Sequence, residues 1–377
     1  MLNLSTFRCR FYRCAVFFAA LAVLAPVAPA ADTVMEAERE LNVYNWADYI
    51  APDTIANFEK EYGIKVNYDL YDSTEVVEAK LLAGRTGYDV VIHSARYSAR
   101  LIPIDIYQPL QKNKLPLWGN LDPWVMEVMA GYDPGNTYGM PYMWGSTGYA
   151  INVDMIRKRM PDAPLGSGAM LFDPEVVSKF ADCGVSFLDE PTDVIPMVLQ
   201  YLGHDPNSLE PEHMAEVEAT LKAVRPYIRY FSSTKMINDL PNREVCVAMS
   251  WSGDYSQAMN RAQEVGAEVD LAYFTPSEGW VFWFDGVFIT NDAPHPDNAH
   301  LFLNYLLRPE VMAAISNETR YANANLASQA FIDPAVLHDP ASYPDAEARR
   351  NGAIGYIFGP KEERRRTRTW SRIKTGL

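Results

Sequence analysis

Beyond its first thirty residues the chain has no run of eighteen apolar residues, which excludes a later membrane-spanning helix. Cysteine is scarce, four in 377 residues, and two of them, Cys9 and Cys14, fall in the leader described below. Basic residues are outnumbered, 33 against 48 acidic. The chain lacks H-E-x-x-H, a G-x-S-x-G elbow, a P-loop, and a G-x-G-x-x-G at a strand-to-helix turn. Its six histidines, at 93, 204, 213, 295, 300 and 338, show no metal-ligand spacing. These absences remove most nucleotide-dependent, metal-dependent and serine-hydrolase chemistries.

What is present begins with an address. Arg8, Arg10 and Arg13 precede the apolar "AVFFAALAVLAPVA", which ends at the small residues Ala28-Pro29-Ala30, so residues 1–30 read as a secretory signal peptide. Its loss removes three Arg and no acid, taking the formal charge from −15 to −18. Such a field disfavours nucleic acid and anionic membranes and suits a cationic small molecule, or serves solubility alone. Cys183 and Cys246 then remain in an oxidising compartment, where one pair is most simply one disulfide.

About 345 mature residues predict two domains. Strands "LNVYNW", "KVNYDLYD" and "YDVVIHS" alternate with helices "DTIANFEKEYG" and "STEVVEAKLLAG", with Gly63 and Gly84 placed as C-caps. A second α/β set follows, running from "GVSFLDE" to "VDLAYFTP". Between and after them, "MPYMWGSTGYAIN" and "GWVFWFDGVFIT" are long extended runs suited to two crossovers between lobes. The C-terminal "KEERRRTRTWSRIK" reads as a helix with Arg in its last turns.

Three segments share one pattern: "NWADY" at 45–49, "SWSGDY" at 250–255 and "FWFDG" at 282–286, each with a Trp one to three residues before an Asp at a strand end. Singly, each is a core Trp and a helix cap. Together, across both lobes, they predict one cleft lined by indoles and carboxylates. That lining matches a cation on an aliphatic chain, because carboxylates take ammonium groups and ring faces cover the methylenes. Aromatic-acid clefts also suit sugars, so an extracytoplasmic carbohydrate-active enzyme stays as an alternative.

"YNWADYIAPDTIANFEKEYGIKV", "GYDVVIHSA", "MPYMWGSTGYAINVD", "CGVSFLDEP", "VCVAMSWSGD", "FLNYLLRPEV" and "YANANLAS" resemble the periplasmic polyamine-binding proteins of ABC importers, in particular the putrescine-binding branch. The resemblance implies an α/β, two-lobed clamshell, each lobe a mixed sheet flanked by helices, with lobe 1 at 38–145 plus 284–320 and lobe 2 at 146–283 plus 321–377. It implies a non-catalytic monomer without cofactor, located in the periplasm, that binds putrescine or spermidine and delivers it to an inner-membrane permease. The ligand set carried over is Trp46, Asp48, Tyr49, Ser94, Asp193, Trp251, Asp254, Trp283, Asp285 and Tyr321. Asp254 and Asp285 would hold one ammonium, Asp48 and Asp193 the far end. Asp193 is otherwise the cap of a helix at 194–202. The Cys183–Cys246 bridge also fits the putrescine branch.

Three positions depart from the family pattern. Ala47 replaces a small hydroxyl residue, and Trp283 stands where putrescine binders tend to have Phe. Arg96 puts a positive charge near the entrance, and Glu190 occupies a position that tunes ligand choice. Ala47, Arg96 and Glu190 are therefore the expected specificity residues, with Arg96 and Glu190 forming an ion pair across the closed cleft. Alternatively Arg96 points to solvent, or it reads a ligand carboxylate, turning the site toward an ω-amino acid such as 4-aminobutyrate.

Overall fold

The computed structural model describes residues 39–345, 349–350 and 352–376. The expected leader at 1–30, with Cys9 and Cys14, lies outside them. Strand β1 (Glu40–Trp46) inserts between β2 (Lys65–Tyr71) and β3 (Val90–Ser94), parallel to both. The connecting helices α1 (Asp53–Tyr62) and α2 (Thr74–Ala83) end at Gly63 and Gly84, both at positive φ, where a Cβ would strain the backbone. Helix α3 (Ala95–Leu101) follows β3 directly.

Strand β4 (Gly139–Asn152) is buried along its whole length and pairs antiparallel with β9 (Trp280–Ile289). These are the two extended runs expected to cross. On one flank β9 pairs with β3; on the other β4 pairs with β7 (Val247–Trp251), which lies parallel to β5 (Val185–Phe187), itself parallel to β6 (Ile228–Phe231). Strand β8 (Leu271–Phe274) adds to β4. Two parallel sets are thus joined through one long antiparallel pair.

Two main cores flank this junction. Leu41, Phe58, Ile92, Trp144 and Phe284 belong to the first, with Phe302 and Ile315 from α7 (Pro296–Leu306) and α8 (Pro309–Thr319). Tyr149, Phe172 and Phe187 belong to the second, with Val198 of α4 (Pro191–Tyr201), Leu221 of α5 (Pro211–Val224), and Trp370 and Ile373 of α9 (Pro360–Thr375). Helix α6 (Ser252–Glu264) follows β7 and packs on a smaller cluster through Ala258. Along β4 the side chains change core between Trp144 and Tyr149.

The residues that follow the expected boundary at 320/321 pack against the first core. Tyr321, Ala322 and Ala324 sit in the first core, and β10 (Ala322–Asn323) pairs with Trp144 and Met143. Buried amides hold the segment there: Asn323 Nδ2 donates to Ser316 Oγ at 2.8 Å and Asn325 Nδ2 to the Leu307 carbonyl at 2.8 Å. The chain returns to the second core only after β11 (Gly352–Ile354), which pairs with β9.

Cys183 and Cys246 form the disulfide, with their Cα atoms 5.6 Å apart. Cys246 immediately precedes β7 and Cys183 lies two residues before the start of β5, its parallel partner, where Val185 faces Val247, so the sheet itself brings them together. The bridge spans a separation of 63 residues. A loop of that size restricts the unfolded chain by about 4 kcal/mol in the entropic treatment. The Cys183→Ala/Cys246→Ala variant is expected to lose stability of that order in urea unfolding of the ligand-free protein, with ligand recognition retained because neither sulfur lies near the cleft.

Candidate functional site

Each ligand-site residue expected from sequence reaches one cavity between the two cores. Its lining contains Trp46, Asp48, Tyr49, Ser94, Asp193, Trp251, Asp254, Trp283, Asp285 and Tyr321, together with Ala47 and Glu190. Strand ends supply Trp46, Ser94 and Trp251, and the first turns of α4 and α6 supply Asp193 and Asp254. Trp283 and Asp285 differ from expectation: they lie within β9, not at a strand tip, beside Gly145 and Ser94 respectively. That places them where the long pair passes between the cores. A Cβ on Gly145 would come within 2.4 Å of the Trp283 ring, so glycine there lets the indole lie flat on β4.

The aromatic wall is built from two groups of rings. Trp46 and Trp251 meet edge-on at 6.5 Å, Trp283 meets Tyr321 at 5.0 Å, and Tyr49 meets Tyr321 at 5.5 Å. Asp193 accepts from the Trp251 indole N–H at 2.7 Å, and Asp254 accepts from the Tyr321 hydroxyl. The Tyr49 hydroxyl lies beside Asp285 but misses hydrogen-bond geometry. Asp193 is not a helix cap; α4 starts two residues earlier, at Pro191, and its cap position is Glu190.

Electrostatics set the chemistry. Burial pushes the Asp254 carboxyl up to about 7, the Tyr321 bond opposing and nearby Asp48 adding to the rise. Burial likewise lifts Asp285 to about 7, with Asp193 adding to it. Glu190, 5% exposed, is lifted by burial and by Asp193 to about 8 and is held by the Thr74 hydroxyl at 3.2 Å. Burial also raises Asp193, against the Trp251 bond and the Arg96 charge. Asp48 stands exposed at the mouth, in left-handed backbone at φ 54°. Four buried carboxyls converge, and among the described residues no Lys, Arg or His lines the cavity. Such a lining is completed by positive charge from a ligand.

Arg96 and Glu190 do not form the expected ion pair. The Arg96 guanidinium donates to the carbonyls of Tyr356 at 2.9 Å and Thr192 at 3.1 Å, and it is absent from the cavity lining. Two carbonyls take Nε and Nη1 of the planar cation and leave Nη2 buried without a partner, while Glu190 accepts from the Thr74 hydroxyl. His93, next to last in β3, is a core residue: buried, bonded at Nδ1 to Ser98 and Tyr107, and pushed down to about 3 by burial. Tyr71, Thr74, Tyr97, Thr192, Ser233 and Thr234 also line the cavity, and sequence reading missed them. Tyr71 is the last residue of β2, and the others follow the ends of β2, β3, β5 and β6, a position the alternation pattern could have marked for Thr74 and Tyr97.

Among the described residues no cluster of His, Cys, Asp and Glu could hold a metal, and no helix is long and apolar enough to cross a membrane.

A family model described as "Bacterial extracellular solute-binding protein" matches residues 53–345. The putrescine-binding periplasmic protein PotF of Escherichia coli (strain K12) is 46% identical over 346 residues, covering 91% of this chain and 94% of that protein. The putrescine-binding periplasmic protein SpuD of Pseudomonas aeruginosa (strain UCBPP-PA14) is 43% identical, covering 94% and 95%. Among solved structures, a putative spermidine/putrescine ABC transporter protein from Listeria monocytogenes superposes with a TM-score of 0.80 at 28% identity, covering 90% of this chain and 100% of that one. The same two-lobed architecture is present here.

Proposed function

Because this chain belongs to the bacterial extracellular solute-binding protein family, we propose that it captures a short aliphatic diamine, putrescine first, in the periplasm and delivers it to an inner-membrane ABC importer. The observation that carries this reading is the cavity's charge: four buried carboxyls, indole and phenol walls, and no basic group in the lining. The names of the similar proteins carry the same chemistry.

The cavity offers ≈ 90 Å³ of space between its indole and carboxyl walls. Asp254 and Asp285 receive one ammonium, and Asp193 with exposed Asp48 the other. Trp46, Trp251, Trp283 and Tyr321 cover the methylenes. Lobe 1 is assigned to 40–144 plus 282–345, lobe 2 to 146–281 plus 355–376, with β4 and β9 as hinge strands that bend as the lobes close. The ω-amino acid reading loses its basis because Arg96 is spent on carbonyls. No reacting group is assigned, and the protein acts by binding alone.

Titration calorimetry on protein stripped of ligand by unfolding and refolding, with putrescine, cadaverine, spermidine, agmatine and 4-aminobutyrate in parallel, tests this. Putrescine or cadaverine is expected to bind most tightly and 4-aminobutyrate not at all. Heat from 4-aminobutyrate with none from the diamines would overturn the assignment.

A further inference from the structure

Arg96 departs from the family pattern and does not line the cavity, yet it bonds two carbonyls and lies over an aromatic ring. It sits at the start of α3, on the first lobe. Its partners are Thr192, in the first turn of α4, and Tyr356 and Phe358, on the segment leading into α9. Helix α9 packs on the second core through Trp370 and Ile373. The guanidinium lies 5.4 Å from the Phe358 ring centre, and Arg366 of α9 lies 4.5 Å from the same ring, bonding the Pro191 carbonyl. Two cations thus flank one ring and hold consecutive carbonyls at the start of the helix that carries Asp193. Gly355 makes room: a Cβ there would come within 2.9 Å of Arg96 Nη1. The Tyr132 hydroxyl, from the first core, bonds the Gly355 carbonyl at 2.7 Å and fixes this seat.

Contacts that span the cleft exist only while it is closed. Tyr97 to Thr192 Oγ1 and Thr74 to Glu190, both at 3.2 Å, run beside Arg96 in the same direction. We propose that Arg96 is a latch: it holds the lobes together beside the pocket, through the Thr192 carbonyl and the Phe358 ring that it shares with Arg366, with Tyr356 as an anchor on a segment that Tyr132 also ties to the first core, and so sets how long the ligand stays and how far the ligand-free protein closes. The proposal rests on the clamshell reading above but not on the identity of the ligand. A charge in this seat adds closing energy without adding a ligand contact, so it slows release while leaving recognition to the acids.

The test combines stopped-flow tryptophan fluorescence with putrescine and small-angle scattering of the ligand-free protein, on the wild type and on Arg96→Ala, Arg96→Lys and Gly355→Ala. Charged hydrogen bonds of this kind support an increase of about ten-fold or more in koff for Arg96→Ala. Lysine, a single point donor, is expected to restore only part of the effect. Gly355→Ala should displace the guanidinium and raise koff with Arg96 still present. The rate of association should stay within about two-fold, and the ligand-free variants should scatter as more extended particles. Unchanged koff and unchanged scattering in both Arg96→Ala and Gly355→Ala would overturn the latch. Should putrescine fail to bind the wild type, the diamine reading falls, and the scattering comparison alone decides the latch.

Discussion

Asp254→Asn is expected to weaken putrescine binding by roughly 30- to 5,000-fold, since truncating one partner of a buried charge pair costs about 2–5 kcal/mol. The same variant is expected to be more stable than the wild type when ligand-free. In the free protein burial holds the Asp254 carboxyl at about 7 against an ordinary value of 3.8. Keeping that group ionised at pH 8 therefore costs roughly 4 kcal/mol at ~1.4 kcal/mol per pH unit. Asparagine keeps the shape and still accepts from the Tyr321 hydroxyl, while removing the buried charge. Opposite signs on affinity and stability are the mark of a site whose strain serves the ligand. Calorimetric titration and urea unfolding of the same preparation check both. A variant that binds as tightly as the wild type would remove Asp254 from the site.

Affinity for a diamine is expected to fall about 100-fold between pH 8 and pH 6, because Asp254 and Asp285, each lifted to about 7, must release their protons to meet an ammonium. Each acid alone contributes roughly one decade over that span. Titrations in two buffers of different ionisation enthalpy should show proton release on binding near neutral pH. The linkage to stability has the opposite sense from that of a salt-bridged carboxylate. With folded values above unfolded ones, the ligand-free native state binds more protons than the unfolded chain between about 4 and 7. Its stability from these groups therefore falls as pH rises through that window. In the complex the ammonium supplies the missing charge, so the gap in Tm between bound and free protein should widen from pH 5 to pH 8. A gap that does not change with pH would mean that these acids are ionised before the ligand arrives.

The repeated Trp-Asp pattern was legible because it is local: a strand end carries its next residues into the cleft wherever the sheet goes, so Trp46, Asp48, Trp251 and Asp254 could be placed together from their own neighbourhoods. The alternation of the first third and the two long crossing strands were legible for the same reason, since periodicity reports which face is buried. Trp283 and Asp285 reached the right site by a different route, from the middle of β9, which only the pairing with β3 and β4 explains. The segment at 321–325 carried no periodic signal. Its place in the first core follows from amide bonds to α8 and to the residue after α7, contacts of high specificity and no local signature.

By itself, then, the sequence determined the α/β alternation and the three Trp-Asp segments, which rest on residue type and short-range spacing, and the disulfide partners, which rest on two cysteines remaining after the leader; Ser94, Asp193 and Tyr321 came from the family resemblance. Tertiary structure alone decided which carboxyls are deep enough to be held protonated near neutrality and that Asp193 answers an indole instead of capping a helix. It alone turned Arg96 away from Glu190, toward carbonyls 96 and 260 positions further along the chain and the Phe358 ring. Burial and orientation are properties of what the rest of the chain packs against a side chain, and no window of neighbours contains that information.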